Sequence, residues 1–246
     1  MMTTLRLSRW AGFWYLLVAI FGSVNLAIVN PRLIVPDDSI ATMTRILASE
    51  DLYRFGIFSN LVLAVVFLCL GNTLYTLFRP VDKGLARLMV LFIVSSIPQA
   101  FLQVLRLAPL LMAGGGGAGT GWSSSQLQAL SMSMLELYEQ GAYIVYIFYG
   151  LWMLPLGLLV FKSRSDLLTK ALGAALAVGC FGYIAQFLQV FWALPYQAVA
   201  SLWMNITVLA EVVCIGWLFV KGPADRPLAD AEQAPSQPTH AVSQPG

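Results

Sequence analysis

The sequence predicts an all-α fold, a six-helix transmembrane bundle with both ends in the cytoplasm, and three observations predict it. Of 246 residues, 59% are hydrophobic and only 11% charged, against about 25% charged in soluble domains. Mean hydropathy is +0.76. Six apolar stretches, 10–29, 53–78, 85–108, 140–161, 169–192 and 200–220, are each about as long as the roughly 20 residues that cross 30 Å of hydrocarbon at 1.5 Å per residue. They must be helical, because an unpaired backbone group in lipid is too costly. The same composition excludes a solvated globule, a disordered chain and a disulfide scaffold. A net charge of +2 with no basic stripe excludes a nucleic-acid partner and leaves the bilayer as the certain one.

Basic residues set the orientation. Arg6, Arg9, Arg79, Lys83, Arg87, Lys162, Arg164, Lys170, Lys221 and Arg226 fall on one side of the six stretches, and only Arg32, Arg45, Arg54 and Arg106 on the other. The positive-inside rule puts the first side in the cytoplasm. The first stretch follows basic residues, as a signal peptide would. Its apolar run is long and no small-residue cleavage site follows, so it is read as a retained helix. Most of the seven tryptophans lie near span ends, as interfacial anchors do.

Between spans one and two, Pro36-Asp37-Asp38-Ser39 carries helix-start chemistry. A short external helix over 40–49 would lay Ile40, Met43, Ile46 and Leu47 along one face. Between spans three and four, Gly114–Gly117, Gly119 and Gly121 read as a spacer. They lack the Gly-Lys-Ser/Thr ending and preceding strand of a phosphate loop. Ser125-Gln126-Leu127-Gln128 then resembles a capping box. A helix from there to Phe161 would measure about 55 Å, so it protrudes outside or bends near Gly141. The region 1–222 is one membrane domain. The tail 223–246, rich in proline and polar residues, is expected to be disordered.

A short repeat stands at the outer heads of two inward-running helices. Asp51-Leu52-Tyr53-Arg54-Phe55-Gly56 and Glu136-Leu137-Tyr138-Glu139-Gln140-Gly141 share acid-Leu-Tyr-x-x-Gly. Duplication and coincidence both explain it, and Arg54 could pair with Glu139 across the outer mouth.

Polar residues within the spans gather toward the outer side. Asn25, Asn60, Gln99, Gln103, Arg106, Glu139, Gln140, Gln186, Gln189 and Asn205 lie in the outer halves, and Glu211 near mid-depth, roughly 16 Å in. Ser96, Gln99, Gln103 and Arg106 follow helical spacing, as do Gln186 with Gln189, Thr207 with Glu211 and Cys214, and Glu139 with Tyr143, Tyr146 and Gly150. Such stripes should turn inward, since a charge at the bilayer centre costs about 2.5–3.5 kcal/mol even on the lenient scale. Interhelical hydrogen bonding explains the amides. An intramembrane carboxylate points instead to a functional site. The candidate pocket residues are Gln99, Gln103, Arg106, Glu139, Gln186, Gln189, Asn205 and Glu211. The depth difference makes a direct Arg106–Glu211 bond unfavourable, so Glu211 is expected to be neutral or water-bridged.

Catalytic inventories are thin. The single histidine, His240, sits in the tail, and no Asp lies in a span. Histidine triads, bis-histidine haem, zinc helices and paired aspartates are therefore excluded within the membrane. Cys69, Cys180 and Cys214 sit in three different spans without metal spacing and read as packing residues. Neither a cofactor nor a metal is expected. Glu136, Glu139, Arg54 and Arg106 would be the raw material of a carboxylate-dependent enzyme.

Leu33-Ile34-Val35-Pro36-Asp37, Ile46-Leu47-Ala48-Ser49-Glu50, Gly150-Leu151-Trp152-Met153-Leu154-Pro155-Leu156-Gly157, Gly179 with Gly182-Tyr183, and Glu211 followed by Trp217-Leu218-Phe219-Val220-Lys221-Gly222 together resemble a bacterial membrane-protein family. That family is the domain of unknown function numbered four-three-eight-six. The resemblance covers Arg6 to Gly222. It implies a multi-pass protein of the bacterial plasma membrane and supplies no catalytic residue. Pro155 and its neighbouring glycines read as a kink with close helix packing. The leading function is binding, sensing or passing a small polar or amphipathic ligand in a pocket open to the outer face. The alternatives are a partner subunit of a membrane complex and the carboxylate enzyme.

Overall fold

The computed structural model describes residues 3–35, 38–111, 121–192 and 197–224, apart from the side chains of Ser39, Gln197 and Ala200. Pro36, Asp37, Gly114–Gly117, Gly119 and all of the tail beyond Ala224, His240 included, lie outside the described residues.

Seven helices form from the described residues, most of them started by local chemistry. α1 (Thr4–Leu33) begins at Thr3, whose hydroxyl accepts from the Arg6 amide. The short α2 (Ser39–Ala48) is capped by Asp38, which accepts from the Ala41 amide. α3 (Glu50–Phe78) opens with two acids, Glu50 and Asp51, that complement its N-terminal dipole. α4 (Lys83–Leu111) starts at Asp82. α5 (Ser124–Ser163) has a reciprocal capping box of Ser123 and Gln126, two residues earlier than the sequence reading placed it. Asp166 caps α6 (Leu167–Phe191), and α7 (Gln197–Val220) follows. All but α2 are long and apolar enough to span a membrane.

α5 is one unbroken helix of 40 residues, about 60 Å long, which agrees with the first of the two alternatives, a helix that protrudes. Three expectations need correction. α4 is interrupted: Pro98 has no amide to donate, and the chain turns at Ile97-Pro98 before resuming at Gln99, with a 3₁₀ turn over Gln103–Leu107. On α2, Met43 and Ile46 are buried but Ile40 and Leu47 are exposed, so the buried stripe is narrower than predicted. Arg54 pairs with Glu50 at 3.3 Å, one turn away, and not with Glu139.

The six spans pack in chain order, α1 on α3, α3 on α4, α4 on α5, α5 on α6, α6 on α7, and α7 back on α1. They form a ring, tightly joined at the inner face, with both described ends on that face. The main apolar core fills the inner half, around Leu70, Leu74, Phe78, Met89, Leu156 and Leu218. A smaller cluster, including Val29, Leu33, Ile46, Tyr53 and Leu110, sits at the outer end.

The inner face is tied shut. Ser8 donates to the Leu218 carbonyl at 2.7 Å, Lys221 to Asp166 at 2.9 Å, Lys162 to Asp82 at 2.8 Å, and the Trp217 indole to Thr169 at 3.1 Å. Hydrogen bonds from Lys221 and from the Thr169 amide hold the Asp166 carboxyl well below the usual carboxylate range. Lys162 and the Leu85 amide lower that of Asp82.

Candidate functional site

Between the two apolar clusters the ring encloses a cavity of about 510 Å³, to which all six spans contribute. That volume lies within the range of small-molecule sites, about 300–1,000 Å³. Its outer end is built around Arg106, which is 4% exposed. The guanidinium lies between two aromatic rings, 5.0 Å from the centroid of Tyr53 and 5.2 Å from that of Tyr138. These are the tyrosines of the two acid-Leu-Tyr-x-x-Gly segments, so the repeat converges on one cation.

A second feature positions Arg106. The end of α1 widens into a π turn over Asn25–Val29, with the Asn30 amide donating to the Asn25 carbonyl. Such turns often mark functional positions. Here it turns Asn25 toward α3 and α4, where Nδ2 donates to the Gly56 carbonyl at 2.9 Å and Oδ1 accepts from Arg106 Nη1 at 3.1 Å. A Cβ on Gly56 would fall 2.7 Å from that oxygen, so the approach requires glycine. Arg106 Nε is buried without a partner, and among the described residues no carboxylate pairs with the guanidinium. Glu139 at the rim acts on it only through space, without an ion pair, and a buried charge without a bonded counterion costs several kcal/mol. Two cation–π contacts and one amide offset only part of that.

The middle wall is aromatic. Tyr143, Tyr146 and Tyr149 follow one another along α5, with Tyr146 and Tyr149 each packed edge-on against Tyr183 of α6. Tyr149 donates to Gln99 Oε1 at 2.9 Å, which fixes that amide. At the floor, Tyr183 donates to Glu211 Oε1 at 3.2 Å, and the buried Tyr15 hydroxyl has no partner. Tyr15 and Asn25 are ten residues apart on α1, so about 15 Å separates floor from cation.

The candidate residues therefore divide. Gln99, Arg106, Glu139 and Glu211 line the cavity, with Glu139 exposed at its rim. Gln103 is buried beside it and donates to the Tyr138 hydroxyl at 3.1 Å. It faces a separate recess of about 20 Å³ shared with Asn60, Ser96 and Gln99, room for a single water. Gln186, Gln189 and Asn205 lie outside the lining. Gln186 Oε1 is buried without a partner, Gln189 is half-buried, and Asn205 is exposed. The placement of α7 explains Asn205. Thr207 donates to the Gly179 carbonyl at 3.0 Å, which turns Glu211, one turn further on, inward. Asn205, two residues back and about 200° round the helix, must point out.

Sequence reasoning missed Asn25 as the partner of Arg106, and Tyr15, Tyr138, Tyr149 and Tyr183 as wall and floor. The regular Tyr143, Tyr146, Tyr149 spacing was the signal available for the wall.

A ring of six apolar helices around a polar-ended cavity defines a multi-pass helical membrane protein. Within that class the chain belongs to the family Domain of unknown function (DUF4386), whose profile matches residues 10–222. No curated protein and no solved structure matches it.

Proposed function

We propose that this chain binds a small amphipathic ligand in the outer cavity, to sense it or to pass it on, and that the cavity opens away from the cytoplasm of a bacterial cell. The observation that carries this reading is Arg106, a cation buried at the head of an aromatic chamber with its Nε donor unused. Basic residues at the tied inner face support the orientation. Of the four residues an enzyme would draw on, Glu139 and Arg106 line the cavity, whereas Arg54 is taken by Glu50 and Glu136 lies outside the lining. The partner-subunit reading is favoured by one observation, the exposed Asn205 within a span.

Thiol accessibility tests the proposal. Cysteine is placed singly at Ser23 and Tyr143, both lining the cavity, in a chain with Cys69, Cys180 and Cys214 replaced by alanine. A membrane-impermeant thiol reagent added outside intact cells should modify both. It should leave Asn205→Cys unmodified, because that side chain faces acyl chains. Protection of Ser23→Cys and Tyr143→Cys, or equal reaction at Asn205→Cys, contradicts the cavity. Co-purification of a second chain lost on Asn205→Ala favours the partner subunit.

A further inference from the structure

The wall of the cavity is not closed all the way round. Near the inner face α1 and α7 touch closely: a Cβ on Gly12 would lie 3.1 Å from Phe219 and 3.3 Å from Leu218. Gly22 and Val208 each stand ten residues further out, about 15 Å along their helices. There a Cβ on Gly22, about 80° round the helix from that of Gly12, would meet only Leu63 of α3, at 3.9 Å, so the α1–α7 seam at this depth is read from the side chains beside it. Leu26 is 76% exposed, Val208 44% and Val212 55%, yet all three line the cavity. A side chain that both lines an interior chamber and faces outward stands at an opening. At this depth the opening looks sideways, onto the acyl chains of the outer leaflet.

The chemistry along the opening is graded. Its lips are aliphatic, the chamber behind is aromatic, and the outer end holds Arg106, which has no ion-pair partner among the described residues. Glu139 stands at the rim and Glu211 at the floor, so Arg106 is the one basic group among the described lining residues. A water-borne polar solute would need no aliphatic side door. A neutral lipid would leave the guanidinium without a counterion.

Resting on the ligand-binding reading above, we infer that the ligand is an anionic single-chain amphiphile from the outer leaflet, which slides in between α1 and α7. Its carboxylate or phosphate head sits on Arg106 beneath Tyr53 and Tyr138, and its chain runs down the tyrosine wall toward Tyr15 and Trp152. The cavity volume, in the lower half of the small-ligand range, suits one chain.

The test uses the full chain in phosphatidylcholine nanodiscs and a palmitate probe with a photoreactive diazirine near the end of its chain. After illumination the cross-links should map to Tyr15, Trp152 and Ile215. The corresponding long-chain alcohol probe, identical but uncharged, should label about tenfold less, the scale of a charge-assisted hydrogen bond. A cleavable cross-linker joining Leu26→Cys to Val208→Cys should abolish palmitate labelling, and cleaving it should restore labelling. Both positions are exposed and the link is made after folding, so loss of label is not loss of fold. Labelling that survives the tether, an alcohol probe as good as palmitate, or cross-links confined to lipid-facing residues such as Val178 and Phe181 overturns the inference. If Ser23→Cys still reacts with the external thiol reagent in that case, the cavity reading stands and only the lateral anionic route falls. If it does not, both fall.

Discussion

Arg106 depends on a residue that never touches it. Gly56 lets Asn25 come near enough to accept from the guanidinium, and alanine there must push Asn25 aside. Gly56→Ala should lower stability by about 1–3 kcal/mol, the usual cost of overpacking, and weaken retention of an anionic probe. Gly216→Ala, with nothing within 4 Å of the added methyl, should be neutral or stabilise by up to about 1 kcal/mol. Thermal unfolding in detergent compares the two, and equal effects would contradict the account of Gly56. At the inner face, the lowered carboxyls of Asp82 and Asp166 stabilise the fold while ionised. That contribution is complete at neutral pH and is lost as pH falls below about 4, the ordinary carboxylate range, toward the lower folded values. Asp166→Asn should lower the melting temperature at pH 7 and shrink the difference between pH 7 and about pH 2, the window below the ordinary carboxylate range. An unchanged pH profile would show that Lys221 does not matter there. Little of this was legible in the chain. An Asn near a helix end announces neither a π turn nor the partner it will meet, because that partner is 81 positions away.

At the scale of elements, α5 and α6 meet through glycine. A Cβ on Gly157 would fall 2.6 Å from the Gly173 carbonyl and closer still to the Ala177 amide, and one on Gly173 would fall 2.7 Å from the Gly157 carbonyl. Close backbone approach of this kind supplies the van der Waals contact that drives helix association in lipid. Gly157→Ala should cost about 1–3 kcal/mol. Adding Gly173→Ala should cost less than the sum of the two, because the first methyl already forces the helices apart. Denaturation midpoints of the four proteins measure this, and strict additivity would contradict a shared contact. The sequence announced this packing through Gly150, Pro155 and Gly157. It concealed the break at Pro98, because hydropathy over 85–108 is continuous and registers solvation rather than backbone hydrogen bonds. Proline is tolerated in a span where neighbours serve the freed carbonyls. The hydroxyls of Ser95 and Ser96, bonded to the Leu91 and Ile93 carbonyls, lie beside that break.

For the whole molecule, six spans and the crowding of polar groups toward one face could be read from composition and depth, since both follow from transfer free energies along the chain. Direction around each helix axis could not. Glu211 and Asn205 share a helix and differ by six residues, yet one enters the cavity and the other leaves it, because Thr207 anchors α7 to Gly179. Tyr15, Tyr138, Tyr149 and Tyr183 also escaped a reading based on amides and charges. A tyrosine ring is apolar enough to pass as span material, and its hydroxyl reveals a wall only once helices are placed together. What the ring of helices builds is a chamber polar at both ends, with its cation unpaid and its side ajar in the outer half. The most direct measurement is native mass spectrometry of the full chain extracted from its own membrane in mild detergent. The account predicts an anionic adduct retained by the wild type and by Asn205→Ala and absent from Arg106→Gln. A bare wild-type protein, or the same adduct on all three, would contradict it.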